Sequence, residues 1–181
     1  MTAQADVRRR YSERMTPEKW FARRFDAQPA SRFPVILERL RGTPARLEER
    51  LRDVPPARLT ARVDGAWSAQ ENVGHLIDLE SLWHRRAEQL FAGETELAPT
   101  DLANRRTFEA GHNDRPLADL LAEFRRVRHA FVALLQHADE AALTHTALHP
   151  RLRTPMTLTD LAFFVAEHDD HHLATIAALI D

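Results

Sequence analysis

A chain of 181 residues with 10 His, no Cys and a formal net charge of −2 can bury one core without staples. The missing thiols exclude a disulfide framework, a zinc finger and a cysteine nucleophile, and the near-neutral charge gives no field that would draw the chain to nucleic acid or anionic membrane. With 5 Gly against abundant Ala, Leu, Arg and Glu, the composition favours helix over sheet, and no apolar run approaches the ~20 residues of a membrane span.

Residues 1–30 read as an N-terminal extension and residues 31–181 as the folded domain. Arg8-Arg9-Arg10 has no apolar stretch behind it, so no secretory signal is expected, and Met15 is an alternative start. Thr16-Pro17-Glu18 is a helix start that would let Trp20, Phe21 and Phe25 dock a short helix onto the domain. The first long helix is predicted from Phe33 to Val54. Ile36, Leu40, Leu47 and Leu51 keep helical phase across Gly42-Thr43-Pro44, which predicts one helix kinked near Pro44. The second runs from Ala69 to Ala92, with a capping box at Ser68 and Glu71, a stripe of Leu76, Leu79, Trp83 and Leu90, and Gly93 as its stop. A long connection from Glu94 to Arg115 follows, with room for a short helix around Leu102 to Gly111. The third long helix is opened by Pro116 and carries Leu117, Leu120, Leu121, Phe124, Val127, Phe131, Leu134 and Leu135 at the helical period. A second connection, Asp139 to Met156, holds His145 and His149. Thr157 then caps the fourth helix, with Asp160 near N3 and an inward stripe of Leu161, Phe164, Val165, His168, His172, Ile176 and Leu179. Four amphipathic helices predict an all-α four-helix bundle, and the two long connections suggest crossovers.

The histidines carry the chemistry. His84, His129 and His137 have no spaced partner and read as surface residues. His168 and His172 lie one turn apart on the apolar stripe of the fourth helix, where two imidazoles would be costly to bury without a shared partner. A metal satisfies both, and H-x-x-x-H on a helix is a recurring platform for such ions; a hydrogen-bonded core pair is the competing reading. His168 and His171 are a second chelating pair, but His171 is rotated ~100° off the stripe. His75 on the second helix, in phase with Leu79 and Leu82, is the candidate third ligand. Glu71 and Asp78, about one turn to either side of His75, are candidates to orient a ligand or act as a base, although Glu71 also completes the capping box. Asp169 and Asp170 read as a solvated edge. His149, His112 and Asn113 are candidates for the mouth of a pocket.

Three segments together resemble the DinB/YfiT-like metalloenzyme family. They are Trp67-Ser68 with Glu71, His75, Leu76 and Asp78; Glu167-His168-Asp169-Asp170-His171-His172-Leu173; and His149-Pro150 followed by Met156-Thr157-Leu158. The resemblance spans about Phe33 to Leu179. It implies a four-helix bundle of unusual helix order, often dimeric, holding one divalent metal on His75, His168 and His172. Zn²⁺ or Ni²⁺ is the first expectation, with Mn²⁺ and Fe²⁺ also suited to imidazole. Three protein ligands with an open position is the catalytic pattern for zinc.

By the same resemblance, the expected activity is that of a metal-dependent enzyme that activates a low-molecular-weight thiol for S-transfer to an electrophile. A metal-dependent hydrolase that activates water is the alternative, and a non-enzymatic, metal-stabilised dimeric stress-response module is the second. The expected partners are a small thiol, an electrophile and a second copy of the chain, with no nucleic acid and no membrane. The expected location is cytoplasmic.

Overall fold

The computed structural model describes residues 19–181. The predicted helix start at Thr16–Glu18, the Arg8–Arg10 run and Met15 lie outside them. Among the described residues are seven α-helices and one small hairpin: α1 (Phe33–Leu51), α2 (Pro56–Leu59), α3 (Ala69–Phe91), α4 (Arg105–Glu109), α5 (Leu117–Leu135), α6 (Glu140–Thr144), β1 (Ala147–Leu148), β2 (Pro155–Met156) and α7 (Leu158–Ile180). Trp20–Ala22 forms one 3₁₀ turn rather than a docked helix. Trp20 nevertheless packs on the bundle, with its ring 5.0 Å from those of both Phe164 and His168, while Phe21 stays 62% exposed.

The four long helices begin where their sequences allow. Ser68 accepts from the Glu71 amide at 3.1 Å while Glu71 accepts from the Ser68 amide at 2.9 Å, closing the capping box of α3. Thr157 and Asp160 do the same for α7 at 3.2 and 2.8 Å. After α3, Gly93 adopts φ +73°, a left-handed conformation that only glycine takes without strain. The first helix runs unbroken through Pro44. The hairpin was not legible in advance: two residues per strand, paired as Ala147–Met156 and Leu148–Pro155, are too few to show an alternating pattern.

α1 packs against α5 and α7, and α3 packs against the same two, so α1 and α3 sit across a diagonal. The apolar core falls into two clusters. One gathers the first half of α1, the second halves of α3 and α5, and the first half of α7; the other gathers the opposite halves. Hence α1 and α7 run parallel, and α3 and α5 run parallel in the other direction. Joining two parallel neighbours requires the chain to travel the length of the bundle, which explains the long connection between α3 and α5. The connections from α1 to α3 and from α5 to α7 stay at one end and cross the diagonal.

Between the two apolar clusters lies a polar belt with one residue from each long helix: Thr43, Glu80, Arg128 and Asp169, all buried. Arg128 Nε donates to Glu80 at 2.8 Å, its Nη2 donates to Asp169 at 2.9 Å, and its Nη1 also pairs with Asp169. Thr43 donates to Asp169 at 2.8 Å. Burial pushes Glu80 up to about 7 against the pull of Arg128. Asp169 is therefore no solvated edge: its exposure is 0%. Asp170 does face outward, where Arg39 and Arg46 pair with it.

Candidate metal centre

The belt level is also where α3 and α7 bring three imidazoles together. One ring nitrogen each of His75, His168 and His172 lies within 4.8 Å of the other two, and all three rings are buried. His168 Nε2 and His172 Nε2 stand 3.2 Å apart. Two nitrogens on one metal at ~2.05 Å in a tetrahedral shell are ~3.3 Å apart, so this spacing suits a shared ion.

Neighbours fix which nitrogen is free. His172 Nδ1 lies 2.7 Å from Asn72 Oδ1. The Asn72 amide nitrogen donates to the Ser68 carbonyl at 2.8 Å, so its oxygen must accept, and His172 carries its proton on Nδ1. On the other ligand, His75 Nδ1 is 3.0 Å from Thr107 Oγ1, and that hydroxyl donates to Asp78 at 2.9 Å. Thr107 therefore accepts from His75. In both rings Nε2 keeps its lone pair for an ion.

Burial holds these rings neutral, as ligands must be. It lowers His75 to about 4 against the attraction of the Asp78 charge, with repulsion from His112 and His171 adding to the fall, and it carries His168 and His172 well below the usual range. The donor set thus fits a divalent ion that accepts imidazole, with coordination positions left open.

Asp78 anchors the far end of this chain of contacts. Burial would raise its pKa, but hydrogen bonds from His112 and Thr107, and the charge of Arg106, hold it below the ordinary carboxylate range. His112 Nε2 sits 2.9 Å from Asp78 Oδ2, and its ring lies directly over Gly74, where an added Cβ would come within 2.2 Å. His112 and Asn113 are thus packing residues: Asn113 accepts from Ser68 at 2.7 Å, and neither lines the cavity. Glu71 accepts from the Ser68 amide and from Arg62, which hold it below the carboxylate range, and it too lies off the cavity.

The open side of the triad faces a cavity of about 290 Å³ walled by Trp20, Trp67, Trp83, Phe164 and Leu79. His149, held by the hairpin, lines it, as does His171. Burial, then repulsion from Arg86 and Arg151, lowers His149 to about 3.

Two expectations follow. Thr107→Val should loosen His75 and weaken metal binding by roughly 10–100-fold, read by competition with a chelating dye; affinity equal to the parent would remove Thr107 from the centre. The second concerns acid. His75 and His149 titrate lower in the folded protein than in the unfolded chain, so the unfolded chain binds more protons as pH falls below about 6.5. Metal-free protein should therefore lose about 1.4 kcal/mol per pH unit for each of these two groups between pH 6.5 and about 4. Urea titrations over that range check the slope.

Sequence reasoning found the three imidazoles but missed Thr107, Asn72, Arg86 and Arg151. Each is a common residue type made special only by tertiary contact.

The fold has close counterparts. The solved structure of YfiT from Bacillus subtilis, described as a probable metal-dependent hydrolase with an unusual four-helix bundle topology, is similar with a TM-score of 0.72 at 21% identity, over 87% of this chain and 90% of that one. The mycothiol-dependent maleylpyruvate isomerase is similar with a TM-score of 0.63 at 13% identity, over 81% of this chain. This chain spans 60% of that isomerase's length. At such identities the likeness is one of fold. No curated protein matches the sequence. The sequence signature of the DinB superfamily matches residues 39–176, most of the bundle including all three imidazoles, and the chain belongs to that superfamily.

Proposed function

We propose that this protein is a metal-dependent enzyme that ionises a low-molecular-weight thiol and transfers its sulfur to an electrophile. The observation that carries the reading is the open side of the triad: it gives onto an aromatic cavity whose one lining carboxylate among the described residues is Asp101, already paired with Arg105 at 3.0 Å. Glu71 and Asp78 are engaged elsewhere. Water must be brought down from a pKa of about 15.7 and is often helped by a carboxylate base, whereas a thiol, with a solution pKa of about 8.5, needs far less help to lose its proton.

A divalent ion on His75, His168 and His172 would lower the pKa of a coordinated thiol or water. The chain's own residues do the rest. Asn72 and Thr107 keep the Nε2 lone pairs directed at one point. The three indoles exclude bulk water and offer flat faces to an organic substrate. His171, whose Nδ1 is buried without a partner and whose ring lies 5.3 Å from that of His172, is placed to take the thiol proton. The thiol sulfur bonds to the electrophilic carbon as the bond to the leaving group breaks, and the leaving group departs with the electron pair and the proton. The chain has no Cys, so the thiol is external.

Hydrolysis remains the second reading, since the fold neighbours include a protein described as a probable hydrolase as well as a mycothiol-dependent isomerase. The homodimer and cytoplasmic address implied by the family resemblance belong to this proposal too; sedimentation velocity tests the first. Among the described residues, no helix is long and apolar enough to cross a membrane. The deciding assay follows chlorodinitrobenzene with and without metal and thiol. Turnover that requires both supports transfer. Ester cleavage without thiol would replace it with hydrolysis, and silence in both, with metal-dependent stability, would leave a non-enzymatic module.

A further inference from the structure

The cavity holds two cations that no carboxylate among the described residues neutralises. Arg86, on α3, is 1% exposed. Its Nε donates to the Ala98 carbonyl at 2.9 Å and its Nη1 meets His149 Nε2 at 3.0 Å, but its Nη2 is buried with no partner among the described residues. Arg151, in the loop between β1 and β2, lines the same cavity and also has a buried Nη2 with no partner among the described residues. Among the described residues no carboxylate acts on either one. Burial and the charge of Arg151 lower Arg86 to about 10, so both remain cationic at neutral pH.

A buried guanidinium without a counter-ion is unfavourable, and proteins ordinarily supply an acid. Here the unpartnered buried groups of the lining are also biased. Of the six such groups among the described residues, the two Nη2 groups and the indole nitrogens of Trp67 and Trp83 can only donate, and the other two are the Nδ1 atoms of His168 and His171 on the triad side. A cavity rich in donors and poor in acceptors complements an anion. The Trp83 ring lies between its two ends: the Arg86 guanidinium is 5.5 Å from that ring and the His168 imidazole 5.7 Å from it.

We propose that Arg86 and Arg151 form an anion subsite that takes a carboxylate carried by the substrate, one indole's width from the imidazole triad. One free N–H from each guanidinium matches the two oxygens of a carboxylate; a phosphate dianion would need more donors. The word "substrate" rests on the transferase reading above, whereas binding of the anion does not.

The test uses intrinsic tryptophan fluorescence of the full-length, zinc-loaded protein, since Trp83 lies against Arg86. Benzoate should quench it saturably, with benzamide and inorganic phosphate at least tenfold weaker. Arg86→Met and Arg151→Met should each weaken benzoate at least tenfold and leave benzamide unchanged. Should Arg86→Met not fold, the rim variant Arg151→Met decides alone. Equal binding of benzoate and benzamide, equal binding of phosphate, or an unchanged Arg151→Met would each overturn the subsite. Turnover then identifies the carrier. Mercaptopropionate against mercaptoethanol, and chlorodinitrobenzoate against chlorodinitrobenzene, should show a raised KM in Arg151→Met only for the partner bearing the carboxylate. Arginine-dependent benzoate binding without any thiol turnover would keep the subsite and remove the transferase reading; turnover indifferent to charge on both partners would do the reverse.

Discussion

Replacing His75 with Ala should abolish tight metal binding. The parent protein, given a divalent ion at about 1,000 times its dissociation constant, should gain about 4 kcal/mol of stability by mass action. His75→Ala and His172→Ala should keep at most about 1.4–2.7 kcal/mol of that gain at the same concentration, because each leaves two imidazoles where three converge. Removing a group that merely orients a ligand costs about 10–100-fold in affinity, so losing a ligand should cost at least that much. Elemental analysis of the purified variants and thermal melts with and without zinc measure the two sides of the expectation. Full occupancy in His75→Ala would take that ring out of the centre and leave His168, His171 and His172 as the donors to consider.

Breaking the polar belt should be the most destabilising single change in the chain. Asp169→Ala leaves Arg128, with 0% exposure, facing Glu80 alone and deprives Thr43 of its acceptor. Removing one partner from a buried charge network typically costs about 3–5 kcal/mol, because the remaining charge stays desolvated. Equilibrium urea unfolding of the metal-free protein reads this directly, without contribution from the neighbouring imidazoles' affinity for an ion. Exchanging Glu80, Arg128 and Asp169 together for apolar residues of matching volume should cost much less than Asp169→Ala alone. If the triple exchange proves worse than the single, the belt stabilises by more than mutual compensation of charge.

Much of this architecture could be read from residue order. The four long helices lie within a few residues of their expected bounds because capping chemistry at Ser68 and Thr157 is local and strong. The pair His168 and His172 was visible because an i, i+4 spacing on an apolar stripe is a local pattern as well. What escaped notice depends on neighbours. Asp169 sits beside Asp170 and looks like half of an exposed acidic pair. Yet α7 packs against both α1 and α3, so its buried arc is wide enough to take in position 169. Thr107 gains its role only when the long connection lays it against α3. Arg86 and Arg151 resemble any of the many arginines until the hairpin and α3 bring them to one cavity.

The order of the helices also governs when the site can exist. Two of the three imidazoles belong to α7, and the nearer of them in sequence, His168, meets His75 across 93 positions of chain. A growing polypeptide on the ribosome can pair α3 with α5, but it has nowhere among these helices to lodge an ion until α7 has emerged. Activity should therefore be all or nothing with respect to chain completion: a product ending before α7 can offer an ion only His75, however well its first three long helices associate.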